Sequence, residues 1–339
     1  MCYDTPLQSG VFFMDKKMSK ILVIDFLNLF IRSYVVNPSI SKQGEPIGGI
    51  VGVFKSLQKL CRDTKPDKII FCHDGPGGSR KKKALHKDYK EGRNPLRLNR
   101  NIKVLDENQE VENRLWQQLK TFDYLNLCPV IQLMEENVEA DDLISYIVQH
   151  DQYEDSIKMI VSSDKDFIQL LDDKTILIRP VQDEILNVNR VLEEYKIHPN
   201  NFAIARAIAG DKSDNLEGVR GVGLISLSKK FPILAEKSKY TVDDIFEKCE
   251  ENKEQGKMFC NILEEKQKVY LNYQIMQLRQ PNMSLQAQQK TDFVLENFVP
   301  EFNKTDFLKS SILDGFADLK LNDLFTTFNR IISDSKTGT

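Results

Sequence analysis

The sequence ILVIDFLNL, residues 21–29, begins with four apolar residues and then places an acidic one, Asp25, where the apolar run stops. Two later apolar runs, IIFCHD and MIVSSD, end in the same way at Asp74 and Asp164. Short apolar runs of this kind are typical of strands buried in a parallel sheet. Because the carboxyl ends of parallel strands meet at one edge, we expect the three carboxylates to share a crevice there.

Strand and helix patterns alternate through the first 180 residues. Strands are predicted at residues 21–26, 68–72, 127–133, 157–162 and 175–178, and helices at 47–61, 109–122, 138–149 and 166–171. This alternation predicts an α/β fold with a mostly parallel central sheet flanked by helices. Residues 75–108 interrupt it, and such a long connection inside a domain is usually functional. Helical patterns fill nearly all of the chain after Asn189.

The bulk composition is that of an ordinary globular protein. Of the 339 residues, 41% are hydrophobic and 29% are charged, which argues against disorder. No apolar run approaches the roughly 20 residues that span a bilayer, and the amino terminus lacks the pattern of a secretory signal. The six cysteines show no CxxC spacing, so we expect reduced thiols in a cytoplasmic protein without a membrane contact.

Charge is segregated along the chain although the net charge is only −3. Residues 80–103 contain ten Lys or Arg residues against two acidic ones, and this basic segment follows closely after Asp74. A cationic element is therefore expected over the acidic crevice. Within it, Lys81, Lys82 and Lys83 are interpreted as a solvated stretch of helix that attracts phosphate in a general way.

Six further acidic residues occur in the motifs EADD, SSDKDF and GDKSDN. They are Glu139, Asp141, Asp142, Asp166, Asp211 and Asp214. Each alone is best interpreted as a turn residue or a helix cap, but nine acids in five segments at one edge require cations. Carboxylates without His or Cys favour Mg²⁺ or Mn²⁺, and two such ions about 3.5–4 Å apart can support phosphodiester hydrolysis.

A glycine-rich segment, GVRGVG at residues 218–223, follows the last acidic motif and precedes a predicted helix. Glycines allow backbone amides to approach a phosphate closely, and the helix adds its positive end. A helix-helix turn without a ligand is the alternative. The adjacent acidic motif favours contacts to a nucleic-acid backbone through Gly221, Gly223, Ser226, Lys229 and Lys230.

Taken in order, the motifs VIDFLNL, HDG, YKEGR, EADD, SSDKDF, GDKSDN and GVRGVG resemble those of the flap endonuclease and 5′-nuclease family, over about residues 20–232. The chain is most similar in kind to the bacteriophage branch, with its RNase H-type nucleases that remove primers. The resemblance implies a PIN-like core, a helical arch and a helix-hairpin-helix (H3TH) motif. It divides the chain into an extension (1–17), a nuclease domain (18–188) with an arch (78–110), a helical DNA-binding domain (189–332) with the hairpin (204–232), and a frayed tail (333–339).

The resemblance also implies an activity and its ligands. A structure-specific 5′ nuclease of phage DNA replication would act as a flap endonuclease and 5′-3′ exonuclease on branched or flapped duplex DNA and on RNA-DNA hybrids. The nine acids would hold two or more Mg²⁺ or Mn²⁺ ions, and the hairpin is a candidate site for K⁺. Near the scissile phosphate the family has basic residues where Arg80, Lys90 and Arg93 stand, and Tyr89 would be a stacking surface.

We expect a monomer, with single-strand-binding protein and a sliding clamp as candidate partners. The sequence LNDLFTTF, residues 321–328, is similar to peptides that bind clamps, but its apolar spacing favours a helix that faces the core. The family often has Pro at the position of Arg220 and Lys at that of Ile225, which affects the expected phosphate contacts.

Two other functions remain as alternatives. A PIN-like single-strand RNase with the same acidic core would have no use for the hairpin. A non-catalytic module that binds fork DNA would have no use for nine acids.

Overall fold

The computed structural model describes residues 18–92, 99, 105–180 and 182–337. Six strands form its main sheet: β1 Lys20–Asp25, β2 Lys68–Cys72, β3 Ile131–Leu133, β4 Ile157–Val161, β5 Thr175–Arg179 and β6 Glu184–Leu186. Their order across the sheet is β3-β2-β1-β4-β5-β6. Every neighbouring pair is parallel except β5 and β6, which are antiparallel. The mostly parallel central sheet predicted from the sequence is confirmed.

Helices cover both faces of this sheet. Those in the described residues are α1 Phe26–Val36, α2 Gly48–Thr64, α3 Arg80–Leu85, α4 Glu107–Asn126, α5 Ala140–Val148, α6 Val188–Tyr195, α7 Pro199–Ala209, α8 Leu224–Lys230, α9 Val242–Asn252, α10 Lys257–Glu264, α11 Lys266–Met276, α12 Leu285–Asn297, α13 Lys304–Leu313 and α14 Asn322–Thr337. None of them is both long enough and apolar enough to cross a membrane.

The central strand β1 shows why the sheet is buried on both sides. Ile21 and Val23 point into one hydrophobic cluster, which is completed by α5 and by the helices from α6 to α12. Leu22 and Ile24 point into the other, which is completed by α1, α2, α4, α13 and α14. Successive side chains of a strand alternate between faces, so a run of four apolar residues supplies both clusters. Each buried aliphatic side chain contributes about 1.5–3 kcal/mol.

The last two helices pack in the cluster of α1 and α2 and not in the cluster of α6 to α12. Phe307 of α13 and Leu324 and Phe328 of α14 lie in the same cluster as α1 and α2. Burial of Leu324 and Phe328 confirms core packing for the LNDLFTTF segment. The division of the chain at residue 189 stays a prediction, but α13 and α14 belong by packing to the sheet.

Several predicted boundaries were wrong. The strand expected at 127–133 begins only at Ile131, because α4 continues to Asn126. The helix expected at 166–171 is a 3₁₀ helix, Lys165–Leu170. The tail expected to fray at 333–339 is helical to Thr337, and Arg330 anchors it through an ion pair of 2.7 Å between Nη1 and Oδ1 of Asp67. Residues 338–339 and the predicted extension 1–17 lie outside the described residues.

Candidate active site

Asp25 lies where β1 runs directly into α1. Its Oδ1 accepts the backbone N–H of Asn28 at 3.1 Å and caps the helix. Its Oδ2 accepts the hydroxyl of Ser162 at 2.9 Å, and Ser162 directly follows β4, the neighbour of β1. Two adjacent strands therefore hold this carboxylate at the carboxyl edge of the sheet.

Asp74 joins the end of β2 to the EADD motif. It lies two residues beyond the strand, and its Oδ1 accepts the backbone N–H of Ala140 at 2.9 Å. Ala140 is the first residue of α5, so Glu139 and Asp141 are placed at the same edge of the sheet. The expectation that separate strand ends and helix starts deliver acids to one crevice agrees with this geometry.

The charge of Asp164 acts on three of the other acids, Asp25, Asp141 and Asp166. Asp164 caps the 3₁₀ helix after β4, accepting the N–H of Asp166 at 2.9 Å. Burial, together with the charges of Asp74 and Asp164, raises the pKa of Asp25 to about 7. Burial and the charge of Asp164 likewise raise the pKa of Asp166 to about 6 and that of Asp141 well above its usual value. Without cations, the crevice therefore disfavours full ionisation.

A second group of acids lies beside Asp164. One carboxylate oxygen from each of Asp166, Asp211 and Asp214 lies within 4.8 Å of the others. Arg206, on α7, contacts two of them: its Nε donates to Oδ1 of Asp166 at 3.0 Å, and its Nη2 pairs with Oδ2 of Asp211. Burial alone would raise the pKa of Asp211, but Arg206 and the N–H and hydroxyl of Ser213 hold it below its usual value.

Two lysines of the basic segment pair with Glu139. The Nζ of Lys82 lies 2.5 Å from Oε2 and the Nζ of Lys90 lies 2.8 Å from Oε1. Lys82 is 7% exposed, so its interpretation as part of a solvated stretch was wrong, although Lys81 and Lys83 are exposed. Burial alone would raise the pKa of Glu139, but the charges and hydrogen bonds of Lys82 and Lys90 lower it to about 2.

Tyr89 was predicted to be a stacking surface for DNA, and the structure contradicts that role. Only 2% of the residue is exposed, because its ring packs with Leu216, Ile275 and Met276. The Nζ of Lys90 lies 5.1 Å from the centre of the ring. Tyr89 therefore supports the lysine from inside the protein and has no face available to a base.

The basic segment is also tied to the GDKSDN motif. The backbone N–H of Lys90 donates to the carbonyl of Asp214 at 3.2 Å. The side-chain amide of Asn215 donates to the carbonyls of Asp88 at 3.0 Å and Glu91 at 2.8 Å. Asn215 has a φ of +58°, a left-handed conformation that Asn tolerates better than most residues. Three hydrogen bonds therefore join residues 88–91, which include the lysine, to the GDKSDN motif.

The hairpin connects α7 to α8 through a short antiparallel pair, β7 Gly210–Asp211 and β8 Leu216–Glu217. Gly221 has a φ of +75°, and a Cβ there would meet nothing within 4 Å, so this part of the hairpin faces open space. The N–H of Gly223 instead donates to Oγ of Ser226 at 2.9 Å, so in this conformation the amide is already occupied. Lys229 and Lys230 are exposed. Contacts from these residues to DNA stay predictions.

Three other predicted residues have less defined places. Asp142 accepts the backbone N–H of Asn282 at 2.7 Å, so it anchors the segment before α12, and its role as a metal ligand stays a prediction. Arg80 is the exposed first residue of α3. Arg93 lies outside the described residues. The catalytic roles of Arg80, Lys90 and Arg93 stay predictions.

Sequence reasoning missed Arg206, Ser162 and Asn215. A signal existed for Arg206, which is the one charged residue in the otherwise apolar and small FAIARAIAG stretch, five residues before Asp211. A lone charge on a buried helix must have a partner. No comparable pattern marks Ser162 or Asn215, because their partners lie far away in the sequence.

The assembled donors fit divalent cations. The carboxylates at this edge offer only oxygen ligands, and burial together with neighbouring carboxylates raises the pKa values of Asp25, Asp141 and Asp166. Hard ions such as Mg²⁺ or Mn²⁺ prefer oxygen ligands and would favour the ionised forms. Among the described residues, Asp166, Asp211 and Asp214 bring their carboxylate oxygens close enough together to share one ion.

Comparison with known proteins identifies the family. Residues 20–196 match the model of the family described as 5′-3′ exonuclease, N-terminal resolvase-like domain. The chain belongs to the 5′-3′ exonuclease family. This exonuclease is 28% identical to the 5′-3′ exonuclease of Aquifex aeolicus (strain VF5) over 222 residues, which are 63% of this chain and 70% of that protein. It is 25% identical to DNA polymerase I of Borreliella burgdorferi over 293 residues, 84% of this chain but 29% of the polymerase.

Solved structures share the fold of this exonuclease. The bacteriophage T5 D15 flap endonuclease, in a pseudo-enzyme-product complex with DNA and metal ions, aligns with a TM-score of 0.64 and 18% identity, covering 82% of this chain and 98% of that one. Human GEN1 in complex with Holliday junction DNA aligns with a TM-score of 0.55 and 11% identity, covering 92% and 73%. The family and the PIN-like 5′-nuclease fold inferred from the sequence motifs are confirmed, and the chain is a nuclease of the hydrolase class.

The raised pKa of Asp25 predicts how the metal-free exonuclease responds to pH. The folded protein binds this proton more tightly than the unfolded chain does, because the pKa rises from 3.8 to about 7 on folding. The contribution of Asp25 to stability therefore falls as the pH rises through this range, and the loss is complete about one unit above the folded-state pKa. We expect Asp25→Asn to unfold at a higher temperature than the wild type in EDTA at about pH 8, with the difference closing towards about pH 5.

Thermal unfolding followed by circular dichroism tests this expectation. A temperature difference that stays constant with pH would contradict it. Saturating Mg²⁺ at about pH 8 should stabilise the wild type more than Asp25→Asn, because the ion binds the carboxylate and not the amide.

Proposed function

We propose that this 5′-3′ exonuclease is a structure-specific, Mg²⁺-dependent 5′ nuclease that cuts flapped or branched duplex DNA close to the junction. The observation that carries the proposal is the meeting of two opposite charge systems at one edge of the sheet. Carboxylates from the ends of β1, β2 and β4 and from α5 lie together, and the lysines of the basic segment pair with one of them, Glu139. A phosphate would be attracted by the cations and cleaved beside the acids.

Divalent ions bound here would lower the pKa of an attacking water and stabilise the leaving oxygen, the chemistry that paired metals supply in phosphodiester hydrolysis. The protein residues hold the geometry for it. Ser162 and the N–H of Asn28 fix both oxygens of Asp25. Arg206 aligns Asp166 with Asp211.

Lys90 is the residue best placed to face the substrate from the basic segment. Its ammonium group contacts Glu139, yet 22% of the side chain is exposed, whereas the side chain of Lys82 is 9% exposed. Burial would lower the pKa of Lys90, but Asp141 and Glu139 raise it, so the charge is permanent. A permanent cation positioned by carboxylates can stabilise charge that develops on the scissile phosphate.

The hairpin supplies the reason to propose duplex DNA as the substrate. Gly221 leaves open space, and Lys229 and Lys230 are exposed on the helix that follows. These features suit contacts to a backbone that carry no sequence information. The motif resemblance and the composition lead to further proposals. They are cleavage of RNA-DNA hybrids to remove primers, a role in phage replication, K⁺ at the hairpin, a monomeric state, a cytoplasmic location, and single-strand-binding protein or a sliding clamp as partners.

A panel of labelled substrates tests the proposal. With Mg²⁺ at low salt, we expect the 5′ flap to be cut fastest, with 5′-phosphorylated products, and single strands to be cut slowest. A nicked duplex and an RNA-DNA hybrid measure exonuclease activity and primer removal. Equal cleavage of single-stranded RNA and the DNA flap would favour the single-strand RNase. Tight binding of the flap without cleavage in Mg²⁺ or Mn²⁺ would favour the non-catalytic fork-binding module.

A further inference from the structure

A cavity of about 310 Å³ opens between α1, α2 and the ends of β4 and β5. Its walls are mostly apolar and come from Leu29, Val161 and Pro180, with hydroxyls from Ser33 and Ser56. Ser33 already donates its hydroxyl to the carbonyl of Leu29 at 2.8 Å. The volume lies at the lower end of the range for small-ligand sites, which suits one flat ring system of a nucleotide.

A second, polar cavity of about 360 Å³ adjoins the first at Asn28 and Arg32, which line both. The acids Asp164 and Asp211 also line the polar cavity, as do the cations Lys165 and Arg206. The apolar cavity is therefore continuous with the acidic edge of the sheet through the polar cavity that Asp164 and Asp211 line.

Arg32 lines both cavities, and its guanidinium is oriented by Asn28. Its Nε donates to Oδ1 of Asn28 at 3.1 Å, and the same oxygen accepts the N–H of Ser163 at 3.1 Å, so the guanidinium is oriented by a fixed acceptor. Its two terminal nitrogens form no hydrogen bond or ion pair with any other residue in the described part of the chain. A half-buried guanidinium with an uncommitted fork suits a phosphate, which it can contact through two parallel hydrogen bonds.

We propose that these cavities form a subsite for one nucleotide adjacent to the scissile phosphate, with the neighbouring phosphate bound by Arg32 and the base enclosed by Leu29, Val161 and Pro180. The proposal deepens the nuclease function proposed above and rests on it. The cleaved strand would pass from Lys90, across the acids, to Arg32. Because the apolar walls offer few polar groups that could recognise a base by its hydrogen bonds, the subsite accepts any base. It would fix the distance between that nucleotide and the scissile phosphate without selecting a sequence.

A base-deletion scan tests the subsite with the full-length protein and Mg²⁺. Flap substrates that each lack one base at successive positions are cut under single-turnover conditions. For the wild type, we expect one position within about two nucleotides of the scissile phosphate to lose about tenfold in rate, within the range of one stacked base. In Ser56→Phe, whose ring fills the cavity, this positional effect should vanish. In Lys55→Phe, which puts the same ring at the neighbouring exposed position of α2, it should persist.

A phosphate scan supplies an independent arm should Ser56→Phe fail to fold. A neutral methylphosphonate at the adjacent phosphate should slow the wild type and have little further effect on Arg32→Gln. Uniform rates across both scans, or a positional effect that persists in Ser56→Phe and in Arg32→Gln, would overturn the subsite. That outcome differs from failure of the proposed function, in which the intact flap itself is not cut.

Discussion

Asp141→Asn is expected to slow Mg²⁺-dependent cleavage of a 5′ flap by about 10³-fold without lowering the stability of the fold. A metal ligand of this kind contributes several kcal/mol to the transition state, and about 4 kcal/mol corresponds to that factor. Burial raises the pKa of Asp141 well above its usual value, and the charge of Asp164 adds to this while that of Lys90 opposes it. Its side chain accepts no hydrogen bond from the described residues, so the amide removes charge without removing a structural contact.

Single-turnover cleavage and urea unfolding measure the two quantities. Asp323→Asn is the matched control, since Asp323 also lies in the first turn of a helix but is exposed, and its helix, α14, packs on α2. The control should cut at the wild-type rate. Cleavage by Asp141→Asn within about tenfold of the wild type would remove this residue from the metal-binding set.

Arg206→Met is expected to lower the free energy of unfolding in EDTA by about 3–5 kcal/mol, the usual cost of removing one partner from a buried ion pair. The side chain is 12% exposed and contacts two carboxylates that would be left without a cation. Mg²⁺ should recover part of the loss, because an ion at Asp166, Asp211 and Asp214 supplies the missing positive charge. Denaturant unfolding with EDTA and with saturating Mg²⁺ gives both values.

Arg330→Met is the control for Arg206→Met. Arg330 also contacts two carboxylates, those of Asp67 and Asp334, but its side chain is 34% exposed. Exposed pairs contribute about 0–1 kcal/mol, and Mg²⁺ should not change that value. Equal losses in the two variants, or no recovery of Arg206→Met with Mg²⁺, would show that the acids near Arg206 do not form a cation site.

The acidic edge could be predicted from sequence because its placement is a local property. Asp25 and Asp164 follow directly from apolar strands whose direction in the sheet is set by the alternation of strands and helices. Arg206 carried a weaker signal, a single charge in an apolar helix. The sequence could indicate that it has a partner but could not identify Asp166, which lies 40 residues away.

Errors arose where contacts distant in sequence determine burial. Tyr89 and Lys82 belong to a basic, poorly patterned segment, and nothing in that segment shows that Ile275 and Met276 pack over the ring or that Glu139 pairs with the lysine. Similarly, the polar end of α14 suggested fraying, whereas Asp67, 263 residues away, holds Arg330. The local sequence shows how polar a segment is, but it does not show which of its polar side chains become buried in the folded protein.

The backbone around Lys90 is hydrogen-bonded to the side chain of Asn215 and to the carbonyl of Asp214, and these bonds bear on the order of events in the proposed cleavage. In the function proposed above, a duplex bound at the hairpin would act on Lys90 through this one short motif. An unpaired strand that reached the acids alone would meet Lys90 without that adjustment. The proposed nuclease would then bind the duplex before it cuts the strand.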